Sequence, residues 1–161
     1  MRRARSARDY LVGFGFAGAS DPGSTDISAN LAAGLSICTT SVPNLALGVS
    51  ARPIVGTAFD LETVDAPAAT LFGMSLLGAT GYDPGVDLGL LGMPGCKLHT
   101  SLEEVILFVP IAGAGSLTWP VPNTPSLAGA VVFAQSAAIV PGINPFGAVT
   151  SNGLRLTVGM Q

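Results

Sequence analysis

No apolar run in this chain goes far before a glycine, proline, serine or asparagine breaks it. A membrane-spanning helix needs about 18–20 uninterrupted apolar residues, and nothing here comes close, although 48% of the residues are hydrophobic. The 21 glycines and 12 prolines punctuate the chain so often that strands, rather than helices, fit between the turns. A length of 161 residues is enough for one stable core. The expectation is an all-β fold: an antiparallel β-sandwich, jelly-roll-like, of eight or nine strands.

Periodicity assigns the strands. In residues 10–17, Tyr10, Val12, Phe14 and Phe16 alternate with a row containing Gly13 and Gly15. Residues 26–37 fit a strand or a short helix, and strand is the reading taken. Leu45, Leu47 and Val49 alternate with small residues. Across residues 57–64, Phe59, Leu61 and Thr63 share one face while Asp60 and Glu62 take the other, as in a half-solvated antiparallel strand. Residues 70–77 are apolar on both faces and read as a central strand. Residues 78–95 read as a long loop turned by Asp83-Pro84-Gly85 and Met93-Pro94-Gly95. Residues 97–109 offer one long strand or two short ones. Leu117, Trp119 and Val121 then share a face, residues 129–140 are apolar except at Gln135 and Ser136, and a last strand is expected over 152–160.

Charge is scarce and unevenly placed. Arg2, Arg3, Arg5 and Arg8 are four of the seven basic residues. The rest of the chain sets Arg52, Lys97 and Arg155 against ten acidic residues, a net charge of −7. Such a body cannot neutralise a phosphate backbone, which excludes nucleic-acid binding outside the basic arm. The first eight residues resemble the basic region of an export signal, with an apolar stretch after them, but Asp9 interrupts the pattern. Because residues 10–16 also alternate like a strand, residues 1–36 are read as an N-terminal arm or additional strand segment, or as a truncated upstream segment. Residues 37–161 are read as the sandwich.

Cys38 and Cys96 have no CxxC or Cys/His spacing around them, which argues against zinc. Two lone cysteines in a glycine- and proline-rich, lysine-poor chain suggest one disulfide in an oxidising compartment; two buried free thiols are the alternative.

From Cys38 to Val158 the chain carries an ordered set of motifs. Cys38 is followed by Pro43 and Leu45, then Gly56, Phe59 and Leu61. Pro94-Gly95-Cys96-Lys97-Leu98 comes next, then Pro122-Asn123-Thr124-Pro125-Ser126-Leu127-Ala128-Gly129. Phe133 and Gln135 precede a closing Ser151-Asn152-Gly153-Leu154-Arg155-Leu156-Thr157-Val158-Gly159. This set resembles an uncharacterised β-domain module of large secreted proteins from planctomycete-like bacteria. The resemblance covers about residues 38–159 and implies a secreted β-sandwich. It also implies that both cysteines occupy family positions, in keeping with a disulfide. It implies no activity.

Catalytic patterns are weak. His99 lies three residues after Cys96, so on a strand the two side chains face opposite sides. No Gly-x-Ser-x-Gly elbow is present. Asp60 and Glu62 share a strand face at a spacing that any solvated face can show. The chain is therefore read as not an enzyme, with no cofactor. Calcium is a lesser candidate, through Asp83 and Asp87 in one loop, since it takes oxygen ligands on loops. Trp119 reads as core, Tyr82 beside Asp83 as a ligand-contact candidate, and Gln135 as a hydrogen-bonded core amide.

Two functions fit. One is an extracellular structural protein that assembles with itself, by adding the strand of Tyr10, Val12, Phe14 and Phe16 to a neighbour's sheet edge and growing into a filament. The other is a cell-surface adhesion or carbohydrate-binding module, with Tyr82 and Asp83 contacting surface glycans.

Overall fold

The computed structural model describes Cys38 and residues 44–160. Alternation turns directly into burial in the first two strands. In β1 (Ala46–Val49) and β2 (Ala58–Val64), Leu47, Val49, Phe59, Leu61 and Thr63 point inward and are buried. Burying side chains of the size of Leu61 or Phe59 stabilises the fold by roughly 1.5–3 kcal/mol each. The remaining strands are β3 (Phe72–Gly78), β4 (Gly81–Asp87), β5 (Lys97–Thr100), β6 (Glu104–Phe108), β7 (Gly115–Pro120), β8 (Val131–Ile139) and β9 (Ala148–Thr157). Two single 3-10 turns, Gly89–Leu91 and Pro125–Leu127, are the only helical elements among the described residues.

Two antiparallel sheets face each other. One has the order β1-β2-β7 and the other β6-β3-β8-β9, while among the described strands β4 and β5 pair only with each other. Taking the seven sandwich strands as A to G, the order is A-B-E against D-C-F-G. That is an immunoglobulin-type arrangement in which the fourth strand belongs to the second sheet. The all-β sandwich of nine antiparallel strands is as expected, and two of the nine described strands form a hairpin outside the two sheets.

That hairpin corrects the loop expected over residues 78–95. Gly81 pairs with Thr100, and Val86 and Asp87 pair with Leu98 and Lys97, with an irregularity between. The Asp83–Pro84 peptide is cis and Gly85 has φ 90°. The turn composition of residues 83–85 thus falls within the irregular stretch of the strand, between Gly81 and Val86, instead of ending it. Residues 97–109 resolve into two strands, the first in the hairpin and the second in the sheet. The last strand begins at Ala148, four residues before the expected start. The expected strands over residues 10–17 and 26–37 lie outside the described residues.

The core is divided. One apolar cluster holds Phe59, Leu61, Leu77, Ala134, Leu154 and Leu156, and another holds Leu45, Ala66, Ala138, Val140 and Val149. Between them, along β2, β3 and β8, sit Thr63, Ser75 and Ser136, all buried. The Thr63 and Ser136 hydroxyls lie 2.6 Å apart and bond across the two sheets. The Ser75 hydroxyl has no partner among the described residues, a burial that costs about 1–3 kcal/mol.

Candidate functional site

The two flanks of the sandwich differ, and that difference defines the site. On one flank, β1 and β9 are held together by the Asn152 side chain. The Leu47 amide donates to Asn152 Oδ1 at 2.9 Å, and Asn152 Nδ2 donates to the Leu47 carbonyl at 3.1 Å. A side-chain amide has the same donor and acceptor pair as a peptide group, so it joins the sheets where their backbones do not pair.

The opposite flank carries β6, the outer strand of its sheet. It pairs with β3 on one side, Glu104 opposite Leu77 and Phe108 opposite Gly73, and with no described strand on the other. Half of its side chains point inward. Ile106 packs against the core, and the Phe108 ring lies where Gly73 and Gly115 have no side chains, a close approach that a Cβ at either glycine would block. The alternate row points outward, with Val105 46% exposed and Leu107 63%; past the end of the strand Val109 is 73% exposed, and Ile111, bridged to Ala114 in the turn towards β7, is 80% exposed. Edge strands are commonly guarded by lysine or inward charge. Here the charged side chains stop at Glu103 and Glu104, where the strand begins. Glu103 is fully exposed, and its carboxylate accepts from Ser101 Oγ at 2.6 Å, which holds its pKa below the ordinary 4.5. From residue 105 to residue 154 the sequence has no Asp, Glu, Lys, Arg or His.

The β4–β5 hairpin lies over the outer face of the four-stranded sheet and is fastened there by Gln135. This glutamine is fully buried. Its Oε1 accepts from the His99 amide at 2.8 Å, and its Nε2 donates to the Lys97 and Ser151 carbonyls, each at 2.8 Å. The expected core amide is thus a clamp. Thr150 Oγ1 adds a bond to the Lys97 carbonyl at 3.0 Å. Tyr82 and Asp83 are exposed side by side on β4, Tyr82 at 37%.

Cys38 and Cys96 form a disulfide. Both are buried, and the Thr150 amide donates to Cys38 Sγ at 3.4 Å. The Cys96 sulfur is therefore no thiolate for His99, whose Nδ1 lies 3.3 Å from the Tyr82 carbonyl. Of the calcium candidates, Asp87 Oδ1 accepts from the Gly89 amide at 2.8 Å, a local turn. No group of three or more His, Cys, Asp or Glu gathers among the described residues. Asp60 lies on the outer face of the three-stranded sheet, taking a 2.6 Å bond from Thr118. Trp119 is half-buried against the core and lines an apolar cavity of about 120 Å³ with Phe59, Leu127 and Leu156. Tyr10, Val12, Phe14 and Phe16 lie outside the described residues.

The sequence reading missed the exposed row on β6. A run apolar at every position, as from Val105 to Val109, has no alternation to show which side faces water, but the fifty-residue absence of charge was there to be read. Comparison of the chain with protein families, curated proteins and solved structures finds no match. No helix among the described residues is long and apolar enough to cross a membrane.

Proposed function

We propose that this protein is an extracellular structural protein that assembles with itself through the open β6 edge. The observation that carries the reading is the exposed apolar row of Val105 and Leu107 on β6, continued past its end by Val109 and Ile111, on a strand with no neighbour on one side among the described residues and no lysine guard. Such an edge offers unpaired backbone groups and an apolar surface together, the two ingredients of strand-to-strand association. The disulfide fits an oxidising compartment, outside the cell or in a periplasm. Placement at the cell exterior, as in the secreted bacterial modules the sequence resembles, is part of the proposal.

The test is light scattering of the full-length protein after size exclusion, over a hundredfold range of concentration. Mass should rise with concentration, and Leu107→Lys should hold it at the monomer while leaving the circular dichroism unchanged. A wild-type protein that stays monomeric throughout would remove the reading.

A second reading rests on the exposed Tyr82–Asp83 pair on β4, which could present an aromatic face and a carboxylate to surface glycans. Glycan binding that survives Tyr82→Ala would exclude that surface.

A further inference from the structure

We infer that the partner at the β6 edge is the β6 strand of a second copy, paired antiparallel across a two-fold axis near Leu107. The inference rests on the proposed self-assembly and names its interface. Antiparallel pairing of a strand with its own copy always has a two-fold axis, so the question is whether the sequence is complementary to itself when reversed.

With Leu107 opposite its copy, Val105 meets Val109 of the partner, the first residue past the end of β6, and Val109 meets Val105. All three side chains lie on the same outward face, because residues two apart on a strand share a side. Those cross-strand pairs are apolar throughout, the kind that stabilises a sheet. On the inward face Ile106 meets Phe108 of the partner. The charges fall outside this patch: Glu104 comes opposite Pro110 of the partner and Glu103 opposite Ile111, at opposite ends of the joint for the two copies. No like charges meet.

Other edges fit less well. β1 is tied to β9 through Asn152. The outward row of β7 is Ser116, Thr118 and Pro120, polar at its first two positions and with the proline inside the strand, whereas Pro110 lies two residues past the end of β6. Pairing two β6 strands would join two four-stranded sheets into one continuous sheet of eight. It would also set Val105, Leu107 and Val109 of the two copies side by side on the outer face, where each shields the flank of its neighbour.

The experiment uses two full-length variants, Leu107→Cys and Ile111→Cys, treated separately with a short bismaleimide. Both positions are exposed, but only residue 107 lies against its own copy in this pairing, whereas residue 111 is eight positions out of register with its copy. Leu107→Cys should give a covalent dimer at least tenfold faster than Ile111→Cys, and wild-type mass should level off at two copies. Equal rates at the two positions would overturn the inference. So would filaments, or association that persists in Leu107→Lys; these would leave self-assembly standing through another joint, such as donation of residues 10–17. A wild-type monomer at every concentration would remove the inference and the proposed function together.

Discussion

Gln135 shows how much a single polar side chain in an apolar strand can organise. Its amide serves one donor and two acceptors of the backbone, and none of the three can be satisfied by an apolar replacement. Gln135→Glu keeps the size but sets a carboxylate against two carbonyl oxygens. At neutral pH the loss should be on the order of 3 kcal/mol. Burial raises the pKa of the new glutamate in the folded state above its unfolded value of about 4.3. The folded form then holds the proton more tightly, so the penalty should grow as pH rises above that value and shrink as pH falls towards it. Urea titrations of both proteins between pH 4 and 8 would check the slope; a pH-independent difference would mean the amide contributes only its shape. The type of environment at Gln135 was legible in the sequence, since an amide inside an apolar strand must find partners. Which groups it serves was not, because they come from residues 36 to 38 positions away and from the next strand.

At the scale of elements, legibility followed contrast. β1, β2 and the inner row of β9 could be read because bulky apolar residues alternate with small or polar ones. β4 could not, because Asp83-Pro84-Gly85 is the composition of a turn, and only pairing with β5 keeps it extended. β6 was seen as a strand without its setting: whether Val105 to Val109 lie at a centre or an edge depends on which strands pair, a long-range choice that local pattern does not encode. The same holds for the join between β1 and β9. Asn152→Ala removes both bonds to Leu47 and leaves that residue's backbone amide and carbonyl without them. A loss of about 1–2 kcal/mol is expected, with faster hydrogen exchange at the Leu47 amide than at the buried amides of β2. Unchanged exchange at Leu47 would show that the strand is held by packing alone.

For the whole molecule, the Cys38–Cys96 disulfide spans 58 residues and connects the start of the described chain to the foot of the hairpin. In the chain-entropy model a closed loop of that size is worth about 4 kcal/mol. Reduction should lower the unfolding free energy by that order and steepen the urea dependence, as the unfolded chain exposes more surface. A loss below about 1 kcal/mol would mean that native packing, not the unfolded chain, sets the effect of the bond. The sandwich and its disulfide were both within reach of composition and cysteine count, while the division of the core by Thr63, Ser75 and Ser136 was not. Hydroxyls in a strand look alike whether they bond across a core or face water.

The Asn152 bridge bears on the arithmetic of assembly. A unit with one adhesive edge has a valence of one, and units of valence one stop at pairs. If the β1–β9 flank were opened as well, each copy could hold a neighbour on either side, and the same protein would extend without limit. On the proposed assembly, the amide that closes that flank would set a finite particle against an endless one.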